Sequence, residues 1–351
     1  MNNLQRLAFY YTAGKIFIPK PIYLIYNATL RCDLSCLHCG IWQTQKLTEL
    51  KPQELDLILN RTFFDQIETA WLTGGEPTLR KDFLELVRTF KLRLPRLRML
   101  GIATNGYGSE RILSLSQDLF SILDSNQQGV FWHISLDGVG KTFDKIRGKE
   151  GAFDELIKTV EGIKTEKQKP PQRKLDLGFN CVVQPMNVSE LNEIKKFADA
   201  YQASLTFNLV EITDQYFCNQ ARAEKLYLTP KDKSEVSIFL KKLLANSPPA
   251  FNYQIKRIIA VLEKGKRDRR CLSLYSTFII NADGSWMPCP LCSGWIKVNF
   301  LDTPPEKFWK SNSAKNLRKK AEKELCPKCA LSCSLGDSLS IWEFIRGGFD
   351  G

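Results

Sequence analysis

From Ile22 to Glu211 the sequence alternates between short apolar runs and amphipathic stretches, and this alternation constrains the fold more than any other feature. The apolar runs at 22–29, 67–72, 97–103, 130–136, 175–183 and 205–210 read as strands. Helical periodicity covers 52–62, 82–92, 109–123, 153–165 and 188–201, with a further helix at 231–245. Strands separated by helices pair through crossovers, so the sheet is expected to be parallel and its connections right-handed. Six strand-helix units are too few to close an eight-stranded barrel, which predicts an α/β fold built as an open, partial (β/α)6 barrel. In such barrels chemistry sits on loops at the carboxyl ends of strands. Here those loops hold a cysteine run after the first strand, Gly74 to Pro77 after the second, Thr104 to Gly106 after the third and Asp137 after the fourth.

The alternation stops at Ser247-Pro-Pro249. A basic helical stretch leads to Cys271, residues 277–287 read as a hairpin turning at Asn281-Ala-Asp-Gly284, and a helix over 305–323 precedes a cysteine knuckle. The expected organisation is an N-terminal segment (1–20), the barrel (21–215), a helical connection (216–265) and a small C-terminal domain (266–351). That last part is short of apolar residues, so a metal centre is expected to serve as its core.

Eleven cysteines and only two histidines, His38 and His133, narrow the chemistry. No signal-peptide order and no membrane-length apolar run is present, so the expected compartment is cytoplasmic, where thiols bind metals rather than form disulfides. Scarce histidine argues against Ser-His or Cys-His hydrolysis, whereas an all-thiolate iron-sulfur protein needs none. The net charge of +12 gathers at 158–174, 264–270 and 318–328. These runs lack the interleaved aromatics that stack bases, so solvated surface is expected and nucleic acid is not.

Cys32-Asp-Leu-Ser-Cys36-Leu-His-Cys39 supplies three thiolates. Three thiolates on a 4Fe-4S cubane leave one iron open to a substrate or cofactor; the same spacing by itself would also suit a zinc knuckle. Thr73-Gly-Gly-Glu-Pro77 lies beside that loop, with two glycines permitting close backbone approach and the Glu76 carboxylate available to an amine.

With both motifs in this order and context, the chain resembles the radical S-adenosylmethionine (SAM) superfamily, and within it the members with a C-terminal SPASM or twitch domain. The resemblance implies that Cys32, Cys36 and Cys39 hold a SAM-binding 4Fe-4S cluster, where reductive cleavage yields a 5'-deoxyadenosyl radical that abstracts substrate hydrogen. It further implies SAM amino-group contacts from Gly74, Gly75 and Glu76. Ribose or carboxylate contacts would come from Thr104, Asn105, Gly106 and Ser135. His38 stands where an aromatic residue commonly packs near adenine. The pattern Cys271-x12-Gly284-x4-Cys289, followed by Cys326-x2-Cys329, is similar to the twitch arrangement and implies one auxiliary 4Fe-4S cluster, with the two clusters of a complete SPASM domain as the alternative. Cys292 and Cys333 are additional candidate ligands, and zinc is the alternative occupant of the knuckle. A peptide or natural-product substrate is implied, with a sugar, nucleotide or lipid-linked small molecule as the alternative. A reductase, flavodoxin or ferredoxin would donate electrons. The non-enzyme alternative is an iron-sulfur or zinc protein that binds nucleic acid, under which Gly74 to Pro77 has no purpose.

Five weaker signals remain. Gly138-Val-Gly-Lys-Thr142 lacks the first glycine of a phosphate loop, and Lys141 and Thr142 are expected in an ordinary loop. His133 is expected as a core histidine pointing into the barrel, and Cys181 as core. Cys218 matches no cluster motif; it reads as a small buried residue, with hydrogen-atom donation as the sharper alternative. Leu4, Leu7, Ala8 and Tyr11 form a stripe that packs under the barrel or touches a membrane surface. The short segment before Ile22 leads us to expect no N-terminal peptide-recognition domain.

Overall fold

The computed structural model describes residues 17–44, 48–124, 127–169, 174–245, 252–267 and 271–331. Its centre is a parallel sheet of seven strands in the order β6-β5-β4-β3-β2-β1-β7. The strands are β1 (Tyr23–Thr29), β2 (Thr69–Gly74), β3 (Met99–Thr104), β4 (Gly129–Ser135), β5 (Leu175–Val183), β6 (Ser204–Leu209) and β7 (Thr277–Ile280). β6 and β7 are opposite ends of this order, so the sheet is open, as six barrel units dictate.

Side chains alternate along each strand, and the two faces have different jobs. One face carries Leu24, Leu72, Leu100, Ile102, Trp132, Ile134 and Phe179, all fully buried in a single core. The amphipathic helices Pro52–Leu59, Phe83–Arg93, Ser109–Ile122, Ala152–Lys167 and Leu191–Ala200 bury their apolar stripes there too. The other face is concave. The register aligns Trp71, Gly101 and Phe131 in one row, Ala103, His133 and Gly178 in the next, then Ser135, Asn180 and Thr206. Its lower rows are filled by rings, with Trp71 and Phe131 5.7 and 5.9 Å from His133. The upper row is polar. His133 Nε2 meets Thr206 Oγ1 at 3.0 Å and Asn208 donates to Asn180 Oδ1 at 2.6 Å. His133 thus lies inside the barrel with a satisfied ring nitrogen, and Cys181 is fully buried in β5.

Three expectations need correction. Lys141 and Thr142 are not in a loop; they open the helix Lys141–Arg147, where Thr142 bonds to Glu190. The first half of the predicted hairpin pairs in parallel with β1 as β7, joining Tyr23 to Thr277 and Tyr26 to Ile280, besides turning at Asn281 to Ser285. The C-terminal region also has an apolar core, continuous with that of the barrel. Trp309 packs 6.1 Å from Phe63, 5.5 Å from Phe278 and 6.3 Å from Trp286, and Trp286 lies 5.0 Å from Phe308. The buried Arg318 guanidinium sits 4.0 Å from the Trp309 ring and donates to Leu274 and Trp309 carbonyls. The helices Pro305–Trp309 and Asn312–Glu324 supply these groups, close to the predicted span.

Because Trp309 is fully buried and its indole N–H donates to Pro19 O at 2.8 Å, it joins the two regions. Trp309→Ala is expected to cost about 3–5 kcal/mol. A single thermal transition, displaced downward, is expected by calorimetry. Two separated transitions would show that the regions do not share one core.

Among the described residues no helix is long and apolar enough to cross a membrane. The Leu4 to Tyr11 stripe lies outside the described residues, as does Cys333.

Candidate iron-sulfur and SAM site

The cysteine loop leaves the carboxyl end of β1 and is held on three sides. On the first, Gly75 N donates to Thr29 O and Glu76 N to Arg31 O, each at 2.8 Å. The two glycines make this crossing possible: a Cβ on Gly74 would lie 2.1 Å from Thr29 O, and one on Gly75 2.1 Å from Arg31 O. Their close approach is therefore to the backbone that enters the cysteine loop. Gly75→Ala is expected to displace Arg31 and the loop beyond it, lowering iron loading several-fold while circular dichroism keeps the barrel signature. Wild-type iron content in that variant would show that the crossing does not set the loop.

Glu76 is fully buried and its carboxylate is engaged by protein groups rather than standing open for an amine. It accepts from Thr78 Oγ1 at 2.6 Å, Thr104 Oγ1 at 3.0 Å and Asn105 N at 2.8 Å. Burial pushes its pKa up, opposed chiefly by the Asn105 N–H and the Thr78 hydroxyl. The carboxylate thereby locks the turn after β2 to the turn after β3. Asn105 carries the link onward, donating to Asp33 Oδ1 at 2.7 Å and approaching Cys32 Sγ at 3.8 Å. Ser135 ends β4, half-buried and level with Asn180 on the concave face.

On the second side, Ser35 N and Leu37 N donate to the carbonyls of Arg147 and Ile146, at the end of the helix Lys141–Arg147. On the third, Gly40 N donates to Phe217 O at 2.6 Å and Arg222 Nη1 to Cys36 O at 3.0 Å. Cys218 belongs to this third contact, with a positive φ of 49° and a backbone carbonyl pressed against Gly40. His38 is fixed between Gln184, at 3.1 Å from Nδ1, and Asp137, at 3.8 Å from Nε2. Burial holds its pKa down to about 4, so the ring is neutral.

The three thiols fit a ligand set by their chemistry, with Cys36 within electrostatic reach of both Cys32 and Cys39. Burial, first, pushes Cys32 up to about 12 and Cys39 up to about 11, and Cys36 adds to both. Thiolates at these positions therefore require nearby positive charge, which iron supplies.

In the C-terminal region Cys271, Cys289, Cys326 and Cys329, from elements far apart in sequence, come within electrostatic reach of one another. Cys271 shares a hydrogen bond with Cys326, which holds Cys271 down to about 6. Cys289 shares a hydrogen bond with the free thiol of Cys292, which raises it, and lies within electrostatic reach of Cys271. Cys329 is raised by burial and by Glu211, Cys289 and Cys271. Cys292 is fully buried at the end of the turn Pro290–Cys292 and stands beside Cys289, a thiol outside the four of the twitch spacing.

Between the two thiol groups lies a cavity of about 260 Å³. His38 and Cys39 face it from one side, Pro290 and Leu331 from the other, with Asn180, Asn208 and Glu211 on the barrel. Sequence reasoning missed Glu211. Its carboxylate accepts from Ala330 N at 3.3 Å, and burial raises it to about 7. The signal was available: Glu211 lies two residues past the end of β6, at the carboxyl edge where barrel sites sit.

Comparison with known proteins agrees with this geometry. Residues 26–198 match the family profile described as Radical SAM superfamily, and residues 271–334 the one described as Iron-sulfur cluster-binding domain, SPASM. A relative from Dinoroseobacter shibae named pre-heme d1 synthase is 30% identical over 186 residues, 52% of this chain and 41% of its own length. The mycofactocin maturase MftC of Mycolicibacterium smegmatis is 28% identical over 194 residues, 54% of this chain and 44% of its own. The chain thus spans under half the length of these curated relatives. Among solved structures, Streptococcus suis SuiB bound to the precursor peptide SuiA superposes with a TM-score of 0.61 at 13% identity, over 90% of this chain and 69% of that one, a likeness of fold. The radical SAM domain implies a 4Fe-4S cluster and SAM, and the SPASM domain implies auxiliary iron-sulfur binding. With both profiles matched in order along one open sheet, the chain belongs to the radical SAM superfamily and carries a SPASM domain.

Proposed function

We propose that this enzyme abstracts hydrogen from an unactivated C–H bond of a peptide held in the cavity between the cysteine loop and the C-terminal thiols. The observation that carries this reading is the cavity itself, bordered by His38 and Cys39 on one side and by Pro290, next to Cys289, on the other. Cys32, Cys36 and Cys39 would hold the SAM-binding cluster, which when loaded and reduced supplies the electron that splits SAM into a 5'-deoxyadenosyl radical.

The chain's own residues bind and orient. Gly74, Gly75 and Glu76 shape the turn for the SAM amino group, while Thr104, Asn105 and Ser135 serve its ribose or carboxylate. The neutral His38 ring, fixed by Gln184, offers a flat surface to adenine. Phe217, Pro290 and Leu331 keep water from the reacting atoms, and Asn180 and Asn208 present amides that suit a peptide backbone. The +12 charge suits docking of an acidic flavodoxin or ferredoxin as the electron donor.

MftC is named a maturase, and SuiB is titled as bound to a precursor peptide, which favours the peptide. The relative named pre-heme d1 synthase favours a second reading, a non-peptide small molecule. Anaerobically reconstituted protein, given dithionite and SAM, is expected to form 5'-deoxyadenosine. Deuterated candidate peptides should pass label into that product. Transfer only from a small molecule would establish the second reading, and no cleavage by iron-loaded protein would remove both.

A further inference from the structure

We propose that Arg147 is the buried counter-cation of the SAM-binding cluster, a positioning residue that holds the Cys36 sulfur and sets the ease of reduction, with Asp137 opposing it. The proposal rests on Cys36 being a ligand of that cluster. Arg147 is 4% exposed, and its Nη1 lies 3.4 Å from Cys36 Sγ. The other fork, Nη2, lies 2.6 Å from Asp137 Oδ2. Asp137 is fully buried, and its second oxygen accepts from Val182 N at 2.7 Å. The guanidinium is thus fixed at both ends, with one edge directed at the sulfur.

The local fold is built to put it there. Arg147 is the last residue of the helix Lys141–Arg147, and Gly148 follows at φ +66°. A Cβ on Gly148 would lie 2.3 Å from Ser35 Oγ, so the helix end seats directly on the cysteine loop. The carbonyls of Ile146 and Arg147 take the amides of Leu37 and Ser35 on either side of Cys36. Carbonyls at a helix end carry partial negative charge, the wrong sign beside thiolates, and the Arg147 side chain reverses it.

A thiolate-ligated cubane becomes one charge more negative on reduction, so a nearby buried cation favours the reduced form and a nearby anion disfavours it. Burial strengthens both effects because water is kept out of the pair. Arg147 and Asp137 therefore act in opposite directions, which gives the proposal a signature that simple packing would not produce.

The test is an anaerobic redox titration of the reconstituted full chain followed by electron paramagnetic resonance, reading the signal that added SAM perturbs. Arg147→Gln is expected to shift the one-electron equilibrium about tenfold away from reduction, ~59 mV lower. Asp137→Asn is expected to shift it toward reduction. Arg147→Lys, which keeps the charge, should stay nearer to wild type than Arg147→Gln. Should Arg147→Gln fail to retain iron, the direction of the Asp137→Asn shift decides. Unmoved midpoints, or shifts of one sign in both variants, overturn the proposal. A wild-type protein with iron but no SAM-perturbed signal would instead overturn the ligand assignment beneath it.

Discussion

Cys36→Ala is expected to bring 5'-deoxyadenosine formation down to background while the barrel stays folded. Cys36 is 6% exposed and packs against the barrel core, but its sulfur has one special partner, Arg147. Removing the sulfur leaves that guanidinium paired with Asp137, so no buried charge is orphaned. The loss in stability should stay near 1–2 kcal/mol, the ordinary cost of a small core truncation. Two thiolates from the loop cannot retain a cubane in place of three, so the cluster and its chemistry go together. Anaerobic iron analysis, near-ultraviolet circular dichroism and chromatography of the products check this in one preparation. Wild-type amounts of 5'-deoxyadenosine from the variant would sink the assignment of Cys36 as a ligand.

The contrast between Cys36 and Arg147 shows which parts of the site are local. Cys32, Cys36 and Cys39 lie within one loop, and Gly74 to Glu76 within one turn, so spacing alone exposes them. Arg147 is 111 residues from Cys36, and nothing in its own neighbourhood marks it. Its helix has only seven residues and begins after Gly138-Val-Gly140, which reads as turn chemistry. β7 was hidden for a related reason. Thr277–Ile280 spans four residues whose local partner is a single bridge from Ile280 to Trp286 across the Asn281 turn, while its pairing with β1 joins segments some 250 residues apart, as the Asn27 to Asn281 side-chain bond (|i−j| = 254) also does. By contrast, β5 is nine apolar-rich residues flanked by amphipathic helices, and its bounds are the same by pattern and by structure.

The same distinction explains Glu76 and the C-terminal core. A carboxylate in a glycine-rich turn looks free in sequence, yet Thr104 and Asn105 come from the next strand to claim it. Few apolar residues in the last stretch suggest a weak core, yet Phe63 and Phe64 from the barrel side meet Phe278 at 5.4 Å each. Both facts depend on which elements become neighbours, and the period of an isolated segment does not encode that.

The C-terminal thiols are expected to bind iron whose loss separates SAM cleavage from substrate turnover. In Cys326→Ala, Cys329→Ala about half of the bound iron should disappear, as when two cubanes fall to one. The barrel should survive, because Trp309, Phe278 and Trp286 hold the region to it without help from the knuckle. The thiols removed lie across the cavity from the cysteine loop, with Cys329 beside Glu211 and Leu331 on the cavity wall. With Cys32, Cys36 and Cys39 as the proposed ligands of the SAM-binding cluster, slow, uncoupled 5'-deoxyadenosine formation should persist. Substrate conversion should fall by at least about a hundredfold, the size of effect that a small misplacement of reacting groups produces. Iron content and the ratio of 5'-deoxyadenosine to converted substrate are the two measurements. Unchanged iron eliminates the auxiliary cluster, stoichiometric zinc in the wild-type protein makes the thiols a structural clamp, and full turnover in the variant would confine all chemistry to the barrel.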